Sequence, residues 1–124
     1  DAIKNYVKRL LSANFNFNKN LKVKGVGGTI TTLAAVKLGM EDYDSDRIED
    51  LQIKKSELEE ICNNLSSLDL EKRREVKGLQ PKRADIIIAG LIILKNILEY
   101  IDSRSLDVSD KDLLYGLLKE ELIK

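Results

Sequence analysis

Gly25-Val26-Gly27-Gly28-Thr29 is the stretch of this 124-residue chain whose residue types and spacing best suit chemistry, and the chemistry is anion binding. The alternating run Leu21-Lys22-Val23-Lys24 leads into it and a small-residue run, Ile30 to Leu38, leads out, which predicts a strand from Leu21 to Val26, a glycine turn and a helix N-terminus. Glycines there allow φ > 0 and let a ligand approach the main chain, while the first amides of the helix stay unpaired and point outward. A phosphate suits such a place. The order differs from the two best-known phosphate loops. No Lys-Ser or Lys-Thr follows as in G-x-x-x-x-G-K-[ST], and Ile30 holds the last glycine position of G-x-G-x-x-G. Taken alone, the turn fits equally well a tight βα connection in which glycine only permits close packing of helix on strand.

Other chemistries lack their residues. The chain has no histidine, which removes the usual zinc sets and histidine bases, and a single cysteine, Cys62, which makes neither a four-cysteine metal site nor an internal disulfide. Cys62 shares a helix face with Leu58, Ile61 and Leu65 and reads as a buried, inert thiol. Asp42, Asp44 and Asp46 alternate as in a calcium loop, but Arg47 stands where an EF-hand needs glycine and Ile53 where it needs its bidentate glutamate, so a solvated loop is expected and no metal ligands. Lysine plus arginine and aspartate plus glutamate both number 21, leaving no net field to draw in nucleic acid, and four tyrosines with two phenylalanines offer little stacking surface. No apolar run spans a bilayer and no signal or transit pattern is present, so no membrane partner is expected and the cytoplasm is the expected compartment.

The elements that would position the turn follow from periodicity and caps. Asp1 to Ala13 carries Ile3, Tyr6, Val7, Leu10 and Leu11 on one helical face, and Asn14 to Asn20 is an asparagine-rich loop. Glu41 to Asp50 reads as an acidic loop and Leu51 to Ile53 as a short strand. Ser56 with Glu59 predicts a capping box opening the helix of Cys62, and a second short helix starts near Asp69. Lys72-Arg73-Arg74 lies among acidic residues and reads as a solvated face. The longest apolar run, Ile86 to Leu94, predicts a core helix from about Pro81 to about Ile101, with Gly90 marking a close backbone approach. Leu106 to Val108 is a brief strand, and Ser109 with Asp112 predicts the cap of a last helix through Leu113, Leu114, Leu117 and Leu118. The class is α/β and the length that of one domain, 1–124; because the first helix begins at a non-methionine residue with no lead-in, a fragment of a longer chain is expected.

Four blocks in order carry a resemblance. Gly25 to Ala35, then Tyr43-Asp44-Ser45-Asp46-Arg47-Ile48, then Leu79-Gln80-Pro81-Lys82-Arg83-Ala84-Asp85, then Val108-Ser109-Asp110 followed by Leu113 and Gly116, together resemble the exopolyphosphatase/guanosine pentaphosphate phosphohydrolase (Ppx/GppA) family. The resemblance implies a partial lobe of an actin-like ATPase (ribonuclease H-like) fold, the C-terminal part of the second of two catalytic lobes that enclose a phosphate cleft. By matching position, Gly25, Gly27, Gly28 and Thr29 would line that cleft, and Arg83 would meet ligand phosphate from a helix entrance. A solvated arginine is the alternative for Arg83, although a cation at a helix N-terminus is not explained by helix stability.

The resemblance further implies hydrolysis of the terminal phosphate of polyphosphate or guanosine pentaphosphate by the full-length protein, with Mg²⁺ as its cofactor and none bound by this chain. The glutamate that assists water attack and the first-lobe phosphate loop lie elsewhere in that family, so no catalytic residue is expected here and the chain alone is expected to be inactive. Two departures stand out: Glu49-Asp50 replaces a frequent His-Gly pair, and Leu114-Tyr115 replaces a frequent Arg-Glu pair. A fragment of an ATP-dependent kinase or ATPase of the same fold, and a catalytically silent regulatory module that dimerises through its exposed lobe face, are the other two readings.

Overall fold

The computed structural model of the chain describes residues 2–14 and 23–111. Helix α1 (Ala2–Asn14) is followed by strand β1 (Lys24–Gly25), helix α2 (Gly28–Leu38), one helical turn α3 (Ser45–Ile48), strand β2 (Gln52–Lys54), and helices α4 (Lys55–Ser67) and α5 (Leu70–Arg74). A 3₁₀ turn at Pro81–Arg83, helix α6 (Ile87–Tyr100) and strand β3 (Ser105–Val108) complete the described elements. The class is α/β, as expected.

The strand latest in sequence lies in the middle of the sheet, whose order is β1-β3-β2. β3 runs parallel to β1, with Lys24 opposite Asp107 and Gly25 opposite Val108, and antiparallel to β2, with Ile53 opposite Leu106. Helices α2, α4 and α6 pack on one another, and α1 lies along α6 through buried Val7 and Leu11. Leu33, Ile53, Leu58, Leu91, Leu98 and Leu106 are buried at the centre. The predicted face of α4 holds, with Leu58, Cys62 and Leu65 buried.

Several boundaries differ from those the sequence suggests, each for a local reason. The acidic segment from Glu41 to Asp50 is not all loop: the Asp44 carboxylate accepts the Asp46 amide at 3.1 Å and starts α3, whose Ile48 is fully buried and pins the segment to the core. The N-terminal cap of α4 sits two residues earlier than Ser56 and Glu59 suggest, because β2 runs directly into the helix, and only the glutamate half of a capping box forms, since a lysine side chain has no acceptor. Lys54 is the cap residue, and its amide donates to Glu57 Oε1 at 3.0 Å.

The core helix does not run unbroken from Pro81. Arg83, Ala84 and Ile86 donate to carbonyls three residues back, as in a 3₁₀ turn, and the regular helix begins only at Ile87. The Ala84 carbonyl, which a continuous helix would offer to residue 88, instead accepts Arg73 Nη1 at 3.0 Å. Arg73 is therefore not part of a solvated face. The helix predicted through Leu113 to Leu118, and the Leu114-Tyr115 departure, lie outside the described residues.

Candidate functional site at the glycine turn

Strand β1 delivers the chain to a turn that demands glycine. Gly27 has φ 100° and ψ 174°, a region that side-chain-bearing residues avoid, although a Cβ there would meet nothing within 4 Å. Its carbonyl accepts the first intrahelical bond of α2, from Thr31 at 3.0 Å, and it contributes no side-chain cap. The amides of Gly28, Thr29 and Ile30 precede that bond and form the positive end of an 11-residue helix. Farther on, α2 closes on Gly39 at φ 60°, with Gly39 and Met40 donating to Val36 and Ala35, a Schellman ending.

The structure brings two of the sequence-chosen residues together. The Arg83 guanidinium lies so close against Gly28 that a Cβ at 28 would come within 2.7 Å of Arg83 Cζ. The other three have different surroundings: Gly25 sits beneath the Ile30 side chain, Thr29 rests on Gly90 of α6, and Gly27 is open. Arg83 is half-buried, and on its other side it lines a cavity of about 310 Å³ whose wall also includes Thr31, Tyr43, Gln80 and Glu41. Glu41 is held by Lys77 at 3.0 Å at the exposed surface. Lys82, next to Arg83, is exposed to solvent.

Tyr43, which the sequence marks only as part of a matching block, joins the cavity to the end of β3. Its hydroxyl donates to Asp110 Oδ1 at 2.6 Å. Desolvation of the phenol, reinforced by that bond and by the Asp110 charge, pushes its pKa up to about 12. Behind it, Glu49 accepts the Ser109 hydroxyl at 3.0 Å and the Asp110 amide at 2.8 Å.

A family model of the Ppx/GppA phosphatases matches residues 1–124. The chain belongs to this family. It is 41% identical over 119 residues to the bifunctional 3-dehydroquinate synthase/phosphatase of Fusobacterium nucleatum, an overlap covering 94% of this chain and 18% of that protein. To exopolyphosphatase 2 of Mycobacterium tuberculosis it is 31% identical over 97 residues, 75% of this chain and 30% of that one. The chain thus spans less than a third of the length of these curated relatives. The crystal structure of the Aquifex aeolicus Ppx/GppA family member superposes with a TM-score of 0.85 at 26% identity, over 98% of this chain and 40% of the other. The fold is therefore that of the Ppx/GppA proteins, of the actin-like class. A second, exopolyphosphatase-like structure shares it with a TM-score of 0.83 at 21% identity.

At the Glu49-Asp50 departure both residues are engaged with the end of β3. Asp50 takes φ 63°, the left-handed backbone that a glycine adopts freely, and donates its amide to the Val108 carbonyl at 2.8 Å. Glu49 supplies a polar contact through its bonds to Ser109 and Asp110.

Proposed function

We propose that this chain forms one wall of the phosphate-binding cleft of a phosphoanhydride hydrolase, an exopolyphosphatase or guanosine pentaphosphate phosphohydrolase, as part of its second lobe. The observation that carries the reading is the contact between Arg83 and Gly28. A guanidinium packed on the positive end of α2 is electrostatically unfavourable by itself and becomes favourable once an anion sits between the cation and the helix amides. Three amides, a bidentate-capable arginine and an adjoining cavity of about 310 Å³ form an arrangement that takes a phosphate group and leaves room for what is attached to it.

Hydrolysis of a terminal phosphoanhydride needs an oriented water, a carboxylate to orient it, a metal ion and donors for charge on the equatorial oxygens. This chain's contribution is the donors: the amides of Gly28 and Thr29 hold the phosphate oxygens, and Arg83 neutralises their charge. Among the described residues no group of three or more His, Cys, Asp or Glu side chains stands together as a metal site; Mg²⁺, which takes one or two carboxylates beside the substrate phosphates, belongs to the full-length enzyme in this reading. Polyphosphate and guanosine penta- or tetraphosphate both present the required terminal phosphate. The same reading favours the cytoplasm, where such anions are made; among the described residues no helix is long and apolar enough to cross a membrane.

Phosphate release from polyphosphate and from guanosine pentaphosphate by the full-length protein, measured with and without R83Q, tests the proposal. Loss of turnover of at least one substrate with retained folding is expected. Unchanged turnover of both in R83Q would overturn it.

A further inference from the structure

We infer that Arg73 is the positioning residue for Arg83, locking the segment that carries it to the end of α4; this rests on the phosphate-binding reading of Arg83 above. Arg73 lies on α5, outside the glycine turn and the cavity. Its guanidinium spends three separate donors on three main-chain carbonyls: Nε to Leu65 at 3.0 Å, Nη2 to Leu68 at 3.1 Å, and Nη1 to Ala84 at 3.0 Å. The first two acceptors are carbonyls at the C-terminal end of α4, where a cation is favoured by the helix dipole; Leu65 also accepts the Leu68 amide at 3.3 Å. The third belongs to the residue immediately after Arg83.

The consequence is geometric. The Pro81–Arg83 turn has only three-residue-back bonds of its own and would continue into α6 if Ala84 offered its carbonyl to residue 88. Arg73 instead ties that carbonyl to the end of α4, and in this tethered, non-helical arrangement Arg83 is directed at Gly28 rather than along a regular helix surface. The loop ahead of the turn is fixed from the other side. Gly78, at φ 89°, lies directly against the Ala35–Val36 backbone of α2, the same helix whose first residue meets Arg83. The segment from Gly78 to Ala84 is thus held at one end by backbone contact with α2 and at the other by Arg73. A lysine cannot replace this, since an ammonium on a single stem does not span three carbonyls set around a planar fork.

The test is a double-mutant cycle on the full-length protein, read as the dissociation constant of inorganic tripolyphosphate by calorimetric titration, with melting temperature recorded alongside. R83Q should weaken binding by about tenfold, the effect of losing one charge-assisted hydrogen bond. R73K and R73Q should each weaken it by a similar factor in the parent protein and by less than about twofold in the R83Q background, because Arg73 acts through Arg83. A residue that merely supports the fold would lower the melting temperature and leave the cycle additive. An unchanged dissociation constant in R83Q overturns the reading of Arg83, and the inference with it. A normal R83Q loss combined with unchanged binding in R73K and R73Q, or with additive losses, overturns the inference alone. Should R73Q fail to fold, R73K carries the cycle; failure of both assigns Arg73 to the fold and overturns the inference.

Discussion

Thr29 of the glycine turn rests on Gly90 of α6, so closely that a Cβ at position 90 would fall 2.8 Å from Thr29 Oγ1 and 3.0 Å from its Cγ2. Gly90, in the first turn of α6, is where the glycine turn is seated. G90A gains about 1 kcal/mol of helix propensity but incurs about 1–3 kcal/mol of overpacking, so a net loss of stability is expected. Adding T29A should recover most of it. Urea unfolding of the two single variants and the double checks this, and additive losses would show that the contact is not what constrains Gly90.

Gly27 and Gly28 should respond to alanine in opposite ways. G27A places a side chain at φ 100° and should lower stability by about 1–3 kcal/mol even though the space is open. G28A pushes only on the end of the flexible Arg83 side chain, so stability should fall by less than about 1 kcal/mol while tripolyphosphate binding weakens by about tenfold as the guanidinium is displaced. Melting curves and titrations on both variants distinguish the two effects.

The Tyr43 phenol gives a pH signature. Its pKa lies at about 12 in the folded chain against 10.0 in the unfolded one, so the folded state keeps a proton that the unfolded state loses between these values. Stability from this group is complete below pH 10 and declines as the pH rises through 12. The difference in urea midpoint between the parent and Y43F should therefore shrink across that window, and a difference independent of pH would contradict the assignment.

Glu57 acts at the acid end. The Lys37 ammonium at 2.9 Å, followed by the Lys54 amide, holds its carboxyl below the usual value of 4.5. A folded pKa below the unfolded one means stability that is present above the unfolded value and lost as the pH falls through the folded one. E57Q should cost about 1 kcal/mol at neutral pH through the weakened cap and lost ion pair, and the gap to the parent should narrow in acid. Midpoints of denaturant curves at neutral and acid pH supply the comparison.

On the function proposed above, the chain by itself should bind phosphate weakly and hydrolyse nothing, because the water-orienting glutamate of the resemblance lies elsewhere in the family. Incubation of the purified 124-residue chain with polyphosphate and guanosine pentaphosphate should release no phosphate above background. Turnover would place the missing carboxylate among these residues.

Much of the fold is legible in local pattern. The glycine turn, the αL glycine ending α2, the buried face of Cys62 and the apolar run of α6 all announce themselves through period or through residues with special backbone demands. The Gly28–Arg83 contact is reachable only because two blocks far apart in the chain resemble one family, since neither residue signals the other. Arg73 leaves no mark at all. Its sequence neighbours are charged and exposed, and what sets it apart is three carbonyls of residues 5, 8 and 11 positions away. Propensity likewise does not show the delayed start of the core helix, where a side chain from α5 bonds the Ala84 carbonyl.

The order of the sheet bears on how the chain is made. β1 and β2 are synthesised before β3 and neither pairs with the other; both wait for β3, the strand that leaves the ribosome last of the three and lies between them. Until Ser105 to Val108 emerge, the edges of β1 and β2 that β3 later pairs stay open and the turn that carries Gly27 has no fixed stem, so nascent chains that have not reached β3 carry two more open edges than the finished sheet. The glycine turn thus gains its fixed stem only after β3 is made, long after its own glycines are translated.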